Sequence, residues 1–112
     1  MGNAIAKRIS NITKHVAVRN RGVAELLETT QETVSRWVNG KVSPNHESLQ
    51  RLLELEFFVS ELSEFYDPEE AKLWLYAPNK LLAGASPADR IREGRIDDVF
   101  ALLDQLRSGA FV

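Results

Sequence analysis

The sequence predicts an all-α fold: an N-terminal helix-turn-helix bundle sharing a long central helix with a C-terminal helical module. Three observations predict it. No segment sustains the period-2 alternation of a half-buried strand. Apolar residues recur instead at spacings of three and four, as in Ile5, Ile9, Ile12 and Val16. Between the periodic stretches stand recognisable helix starts and stops, among them Asn39-Gly40, Asp67-Pro68 and Ser86-Pro87.

The isoleucine stripe defines the first helix. A second fits residues 22–28 and a third residues 30–38, stopped at Asn39-Gly40, where glycine accepts a left-handed conformation cheaply. Ser43-Pro44 is expected to open the fourth, with serine as cap and proline at the first position. That helix runs to about Tyr66. Leu49, Leu52, Val59, Leu62 and Tyr66 line one face, and Leu53, Phe57, Phe58 and Phe65 widen the apolar surface beyond a single stripe. A helix so broadly apolar is covered on two sides, which makes it a spine shared by both ends of the chain. Asp67-Pro68-Glu69-Glu70 starts another helix, with acids at the positive end of its macrodipole. Ser86-Pro87-Ala88-Asp89 repeats the device, and Gly94 stops it. Ile96, Val99, Phe100, Leu103 and Leu106 form the stripe of a last helix, ended by Ser108-Gly109.

The chain of 112 residues is 44% apolar and 27% charged, ordinary for one domain or two very small ones. The absence of cysteine excludes a disulfide framework and a thiolate metal site. Its only histidines, His15 and His46, are far apart in sequence. Its apolar runs fall far short of the roughly 20 residues that span a bilayer, and no apolar signal segment follows the first basic residues. The expectation is a cytoplasmic protein with no membrane partner and no cofactor. Residues 1–48 carry seven basic and four acidic side chains, and residues 49–112 carry seven and twelve. Opposite signs in the two halves suggest two jobs, although scattered surface charge gives the same totals.

Within the first half, Ala24 is the small residue where two short helices cross, and Val23, Leu27, Val34 and Trp37 are their apolar contacts. Gln31, Glu32, Ser35, Arg36 and Asn39 are left on the outer side of the second helix, where they could enter a major groove. Val34-Ser35-Arg36-Trp37, Asn39-Gly40-Lys41 and Pro44 resemble the recognition helix and following loop of the Xre-type (phage repressor and Cro-like) helix-turn-helix family. The resemblance implies that Gln31, Ser35 and Arg36 contact bases or phosphates of operator DNA, with Asn39 beside them and Lys41 on the backbone. Two residues depart from that pattern. The turn reads Glu28-Thr29 where the family has glycine and an apolar residue. Glu32 faces phosphates unfavourably unless Thr29-Thr30-Gln31-Glu32 forms a capping box. Such a module either reads DNA or serves as a dimerisation surface.

The C-terminal stretch reads, on its residues alone, as a plain helical core, with Trp74, Leu81 and Leu82 on the spine and Pro78 and Pro87 starting short helices. No nucleophile triad, phosphate loop or inward carboxylate pair stands out, so an enzyme is not expected. The pattern Trp74, Pro78-Asn79, Leu82, Gly84 and Pro87 before a final helix resembles the toxin-binding domain of the Xre/MbcA/ParS antitoxin family. The resemblance divides the chain into a helix-turn-helix domain over residues 1–54 and a toxin-binding domain over 55–112. It implies the antitoxin of a type II system that binds a RES-domain, NAD-degrading toxin, inhibits it sterically and represses its own operon. Trp74, Pro78, Asn79, Lys80 and the tail Gly109-Ala110-Phe111-Val112 would then face the toxin, the tail lying in its active-site entrance. Homo-oligomers and a hetero-oligomeric complex with the toxin are expected. The alternative is a stand-alone helix-turn-helix regulator whose C-terminal half only dimerises.

Overall fold

In the computed structural model, which describes residues 3–109, seven α-helices and one 3₁₀ turn follow one another with no strand among the described residues. They are α1 (Ala4–Val16), α2 (Asn20–Leu26), α3 (Gln31–Val38), α4 (His46–Leu62), α5 (Pro68–Tyr76), α6 (Pro87–Arg92) and α7 (Ile96–Arg107), with the 3₁₀ turn at Lys80–Leu82.

The stripes expected on α1 and α7 pack as drawn, but Leu53, Phe57 and Phe65, expected to be covered on the central helix and just after it, stay exposed. Ile9, Ile12 and Val16 of α1 are buried, as are Ile96, Val99 and Leu103 of α7. Asp67 and Ser86 each close a full capping box, with Glu70 and Asp89 returning the hydrogen bond to the cap backbone. These pairs fix the start of α5 and α6 to a single residue.

Three local expectations are corrected. α4 begins two residues after Pro44, because Asn45 takes the cap and accepts from the Ser48 N–H at 2.8 Å, and it ends at Leu62 with Ser63 as its C-cap, short of the expected Tyr66. Asparagine caps at least as well as serine, so Ser43-Pro44 stays in the connecting segment. α3 is capped by Thr30, whose Oγ1 accepts from the Thr33 N–H at 3.0 Å. Glu32 therefore sits one position too early for a capping box and pairs with Arg36 instead, at 3.2 Å. α2 begins at Asn20, ahead of Gly22. That glycine serves close approach: a Cβ on it would lie 2.8 Å from the Val18 Cβ.

α4 is the spine. Leu52, Leu55, Phe58, Val59 and Leu62 are buried, and α1 and α7 both pack on it. α1 also packs on α5, so the apolar cores of the two ends merge into one cluster, from Ile9 to Leu103. Ring contacts reinforce the C-terminal side: Phe58 stands edge-on to Phe100 at 5.3 Å, and Trp74 stacks on Phe58 and Tyr66 at 6.1 and 6.4 Å.

Candidate functional site

Two surfaces carry the sequence-derived candidates. The first is the outer side of α3. Val34 and Trp37 point inward and are buried, so α3 is held against α2 through Val23, Ala24 and Leu27. Asn3 fixes its far end. The Asn3 Oδ1 accepts from the Ala6 N–H at 2.7 Å, and its Nδ2 donates to the Val38 carbonyl at 3.0 Å. One side chain thus caps α1 and closes α3. On the outer side Gln31, Arg36, Asn39 and Lys41 are exposed and Ser35 is half-buried. Arg36, the strongest candidate for a guanine contact, is engaged by Glu32. The turn before α3 places Glu28 at φ 56°, the left-handed region in which a glycine is favoured.

The second surface lies on α5 and the loop after it. Asn79 organises the loop. Its N–H donates to the Ala85 carbonyl, its own carbonyl accepts from Leu82 and Gly84, and its Oδ1 accepts from the Leu81 N–H at 2.9 Å. Asn79 therefore shapes the surface, while Pro78 and Lys80 are exposed on it. Trp74 is half-buried, its indole packed between Phe58 and Tyr66 and its Nε1 without a hydrogen-bond partner among the described residues. Of the leucines expected on the spine, Leu82 is buried but Leu81 is 53% exposed, because Asn79 turns the chain before it. Leu73 points outward on α5 at 72% exposed, and one turn on Tyr76 is partly covered, at 38% exposed. This apolar exposure escaped the periodicity argument, which assigns leucines to the core by default. Burial holds the Tyr76 hydroxyl above its usual range, and Glu25 adds to the effect while Arg92 opposes it. Of the tail, Gly109 is exposed, and Ala110, Phe111 and Val112 lie outside the described residues.

Arg51 ties the end of α2 to the end of α6, and no sequence signal marked it. Its Nη2 donates to the Ile91 carbonyl at 2.9 Å and the Arg92 carbonyl at 3.3 Å, and its Nη1 donates to the Leu27 carbonyl at 3.3 Å. One guanidinium thus neutralises the negative ends of α2 and α6. Asp89, in the α6 capping box, is held below the usual carboxylate range by hydrogen bonds from Ser86, with help from Arg92. No group of three metal-ligating side chains forms among the described residues, and none of their helices is long and apolar enough to cross a membrane.

Comparison with known proteins matches residues 65–109 to the antitoxin Xre/MbcA/ParS C-terminal toxin-binding domain. The mycobacterial cidal antitoxin MbcA of Mycobacterium tuberculosis, and that of Mycobacterium bovis, is 32% identical over 98% of this chain and 97% of its own. A probable mycobacterial cidal antitoxin of M. tuberculosis is 31% identical over 96% of this chain and 91% of its own. The crystal structure of the M. tuberculosis MbcT–MbcA toxin–antitoxin complex contains a chain that superposes with a TM-score of 0.83 at 32% identity. The match covers 98% of this chain and 99% of that one.

Proposed function

Since the chain belongs to the Xre/MbcA/ParS antitoxin family, we propose that it is the antitoxin of a type II pair: it binds a RES-type, NAD-degrading toxin and blocks it sterically. The observation that carries this reading is the end-to-end likeness to an antitoxin solved in a toxin–antitoxin complex. A partial likeness would fit any helix-turn-helix protein, but this one extends through α7. Residues 1–54 form the DNA-reading part and residues 55–112 the toxin-binding part, with α4 common to both.

On this reading the toxin meets the surface around Pro78 and Lys80, with Leu73, Tyr76 and Leu81 adding apolar area and Trp74 and Asn79 holding it in shape. The tail from Gly109 to Val112 enters the toxin's active-site mouth. An apolar tail with a terminal carboxylate suits a cationic pocket that handles a dinucleotide phosphate. Gln31, Ser35, Arg36, Asn39 and Lys41 contact operator DNA, so that the same chain represses its operon. Homo-oligomers and a hetero-oligomeric complex with the toxin accompany this cytoplasmic role, and neither catalysis nor a cofactor belongs to it.

The test is co-expression with the product of the adjacent gene. The chain should restore growth and co-purify with that protein, and a chain cut before Gly109 should still co-purify but no longer inhibit. Absence of both rescue and co-purification refutes the antitoxin reading, and full inhibition by the shortened chain refutes the plug. For DNA, Arg36→Ala should weaken operator binding by about 1–3 kcal/mol if the guanidinium reads a base. An unchanged gel shift would demote α2 and α3 to a dimerisation surface.

A further inference from the structure

One exposed stripe, apolar at its centre and polar at both ends, is used by neither proposed role. Gln50, Leu53, Phe57 and Ser60 of α4 recur at spacings of three, four and three, and all four face solvent. That is the seam spacing of helices packed side by side, whatever their direction. Phe57 is 58% exposed, although its neighbour Phe58 is fully buried.

Two helices flank the stripe. On one side Arg8, Asn11 and His15 of α1 line a shallow depression with Leu53, Phe57 and Glu56, whose carboxylate holds Arg8 and Asn11 and so leaves the charge of that flank to Lys7 and Lys14. On the other, the Phe100 ring of α7 lies 5.9 Å from the Phe57 ring. The flanks carry opposite charge. α1 holds Lys7, Arg8, Lys14 and His15 and no acid, and Lys7 and Lys14 are exposed one turn on either side of Asn11. α7 holds Asp97, Asp98 and Asp104 against Arg107, and the exposed Asp97 and Asp104 stand one turn on either side of Phe100.

We propose that a second copy of the chain covers this face, with the twofold axis running along α4. Leu53 and Phe57 then meet their own counterparts, and α1 of each copy lies against α7 of the other. A twofold interface must be self-complementary. Only an axis parallel to α4 sets the basic flank against the acidic one. An axis across α4 opposes α1 to α1 and leaves like charges facing. Three helices about 10 Å apart and about 18 to 25 Å long offer a face on the order of 600 Å². That is below the roughly 800 Å² per partner of a standard interface, so the dimer is weak, micromolar and sensitive to salt. The inference rests on the homo-oligomer proposed above and adds its surface and symmetry.

Sedimentation of the full chain alone tests it. The wild type should pass from monomer to dimer across the micromolar range, and both Phe57→Glu and Leu53→Glu should remain monomeric with unchanged helicity. The double reversals Lys7→Glu/Lys14→Glu and Asp97→Lys/Asp104→Lys should each lose the dimer alone and regain it when mixed in equal amounts. A wild type monomeric throughout sinks the oligomer itself. Glutamate variants that dimerise like the wild type overturn this surface while sparing the oligomer. A mixture that fails to recover overturns the axis. Loss of toxin capture by Phe57→Glu would put the toxin, not a second copy, on this face.

Discussion

Replacing Arg51 with methionine should destabilise the protein by about 2 kcal/mol, a value that follows from what its guanidinium touches. Methionine keeps most of the apolar stem and removes the charged head, so the change isolates the polar contacts. Three carbonyls lose a donor, at 2.9, 3.3 and 3.3 Å. A hydrogen bond from a charged donor contributes about 1.5–3 kcal/mol when well formed. Only the bond to Ile91 is short, and Nη2 divides itself between two acceptors. Arg51 is half-buried, so water reaches the freed carbonyls in part. The sum is thus nearer one strong bond than three. For a domain of this size the melting temperature should fall by roughly 8 °C, read by circular dichroism, with one cooperative transition retained. Arg51→Lys should recover less than half, because an ammonium on a single stem cannot span Leu27 and Ile91 together. A methionine variant melting with the wild type would refute the bridging role. A lysine variant equal to the wild type would show that charge alone matters.

Three further substitutions test local geometry. Gly22→Ala ought to stabilise an ordinary helix interior by about 1 kcal/mol. Here it should destabilise, since the new Cβ meets Val18 at 2.8 Å, and a raised urea midpoint would contradict the contact. Glu28→Gly should stabilise by about 0.5 kcal/mol, the relief of a left-handed residue less the entropy that glycine adds to the unfolded chain; a lowered midpoint would count against it. Asp89 has a depressed folded pKa, so its contribution is present above the ordinary carboxylate value of 3.8 and is lost as pH falls through the lower folded value. Asp89→Asn should therefore flatten the acid limb of the stability curve below about pH 4, and an unchanged limb would remove Asp89 from the account.

Local chemistry made much of this fold legible. The α1 stripe, the Asp67 and Ser86 capping boxes and the Asn39-Gly40 stop each depend on residues within a few positions of one another. Where two local signals competed, the reading slipped: Ser43 and Asn45 both suit a cap, and Thr29 and Thr30 both precede Glu32. Leu55 is fully buried, yet it escaped the stripes drawn on α4, because a helix covered on two sides has no single face to trace. Arg51 and Asn3 were invisible for a different reason. Their partners lie 24 to 41 residues away, and no spacing encodes such a contact. The candidate surfaces divide in the same way. Sequence placed Arg36 on the outer side of α3 correctly, and the i,i+4 spacing that lets Glu32 hold it was overlooked because Glu32 was read as a cap. It named Trp74 for the toxin surface without revealing that the ring is stacked inward while Leu73 and Leu81 stand out.

The continuous core has a consequence for anyone recombining these proteins. A junction after residue 54 cuts α4 between the buried Leu52 and Leu55, and it leaves α1 facing an α5 of foreign sequence. Grafting the N-terminal part onto another member's C-terminal part should therefore yield insoluble or partly folded chimeras unless α1, α4 and α5 travel together. On the proposed reading, new operator specificity would have to be introduced by changing side chains on α3 in place, and new toxin specificity by changing the exposed side chains of α5 and its loop.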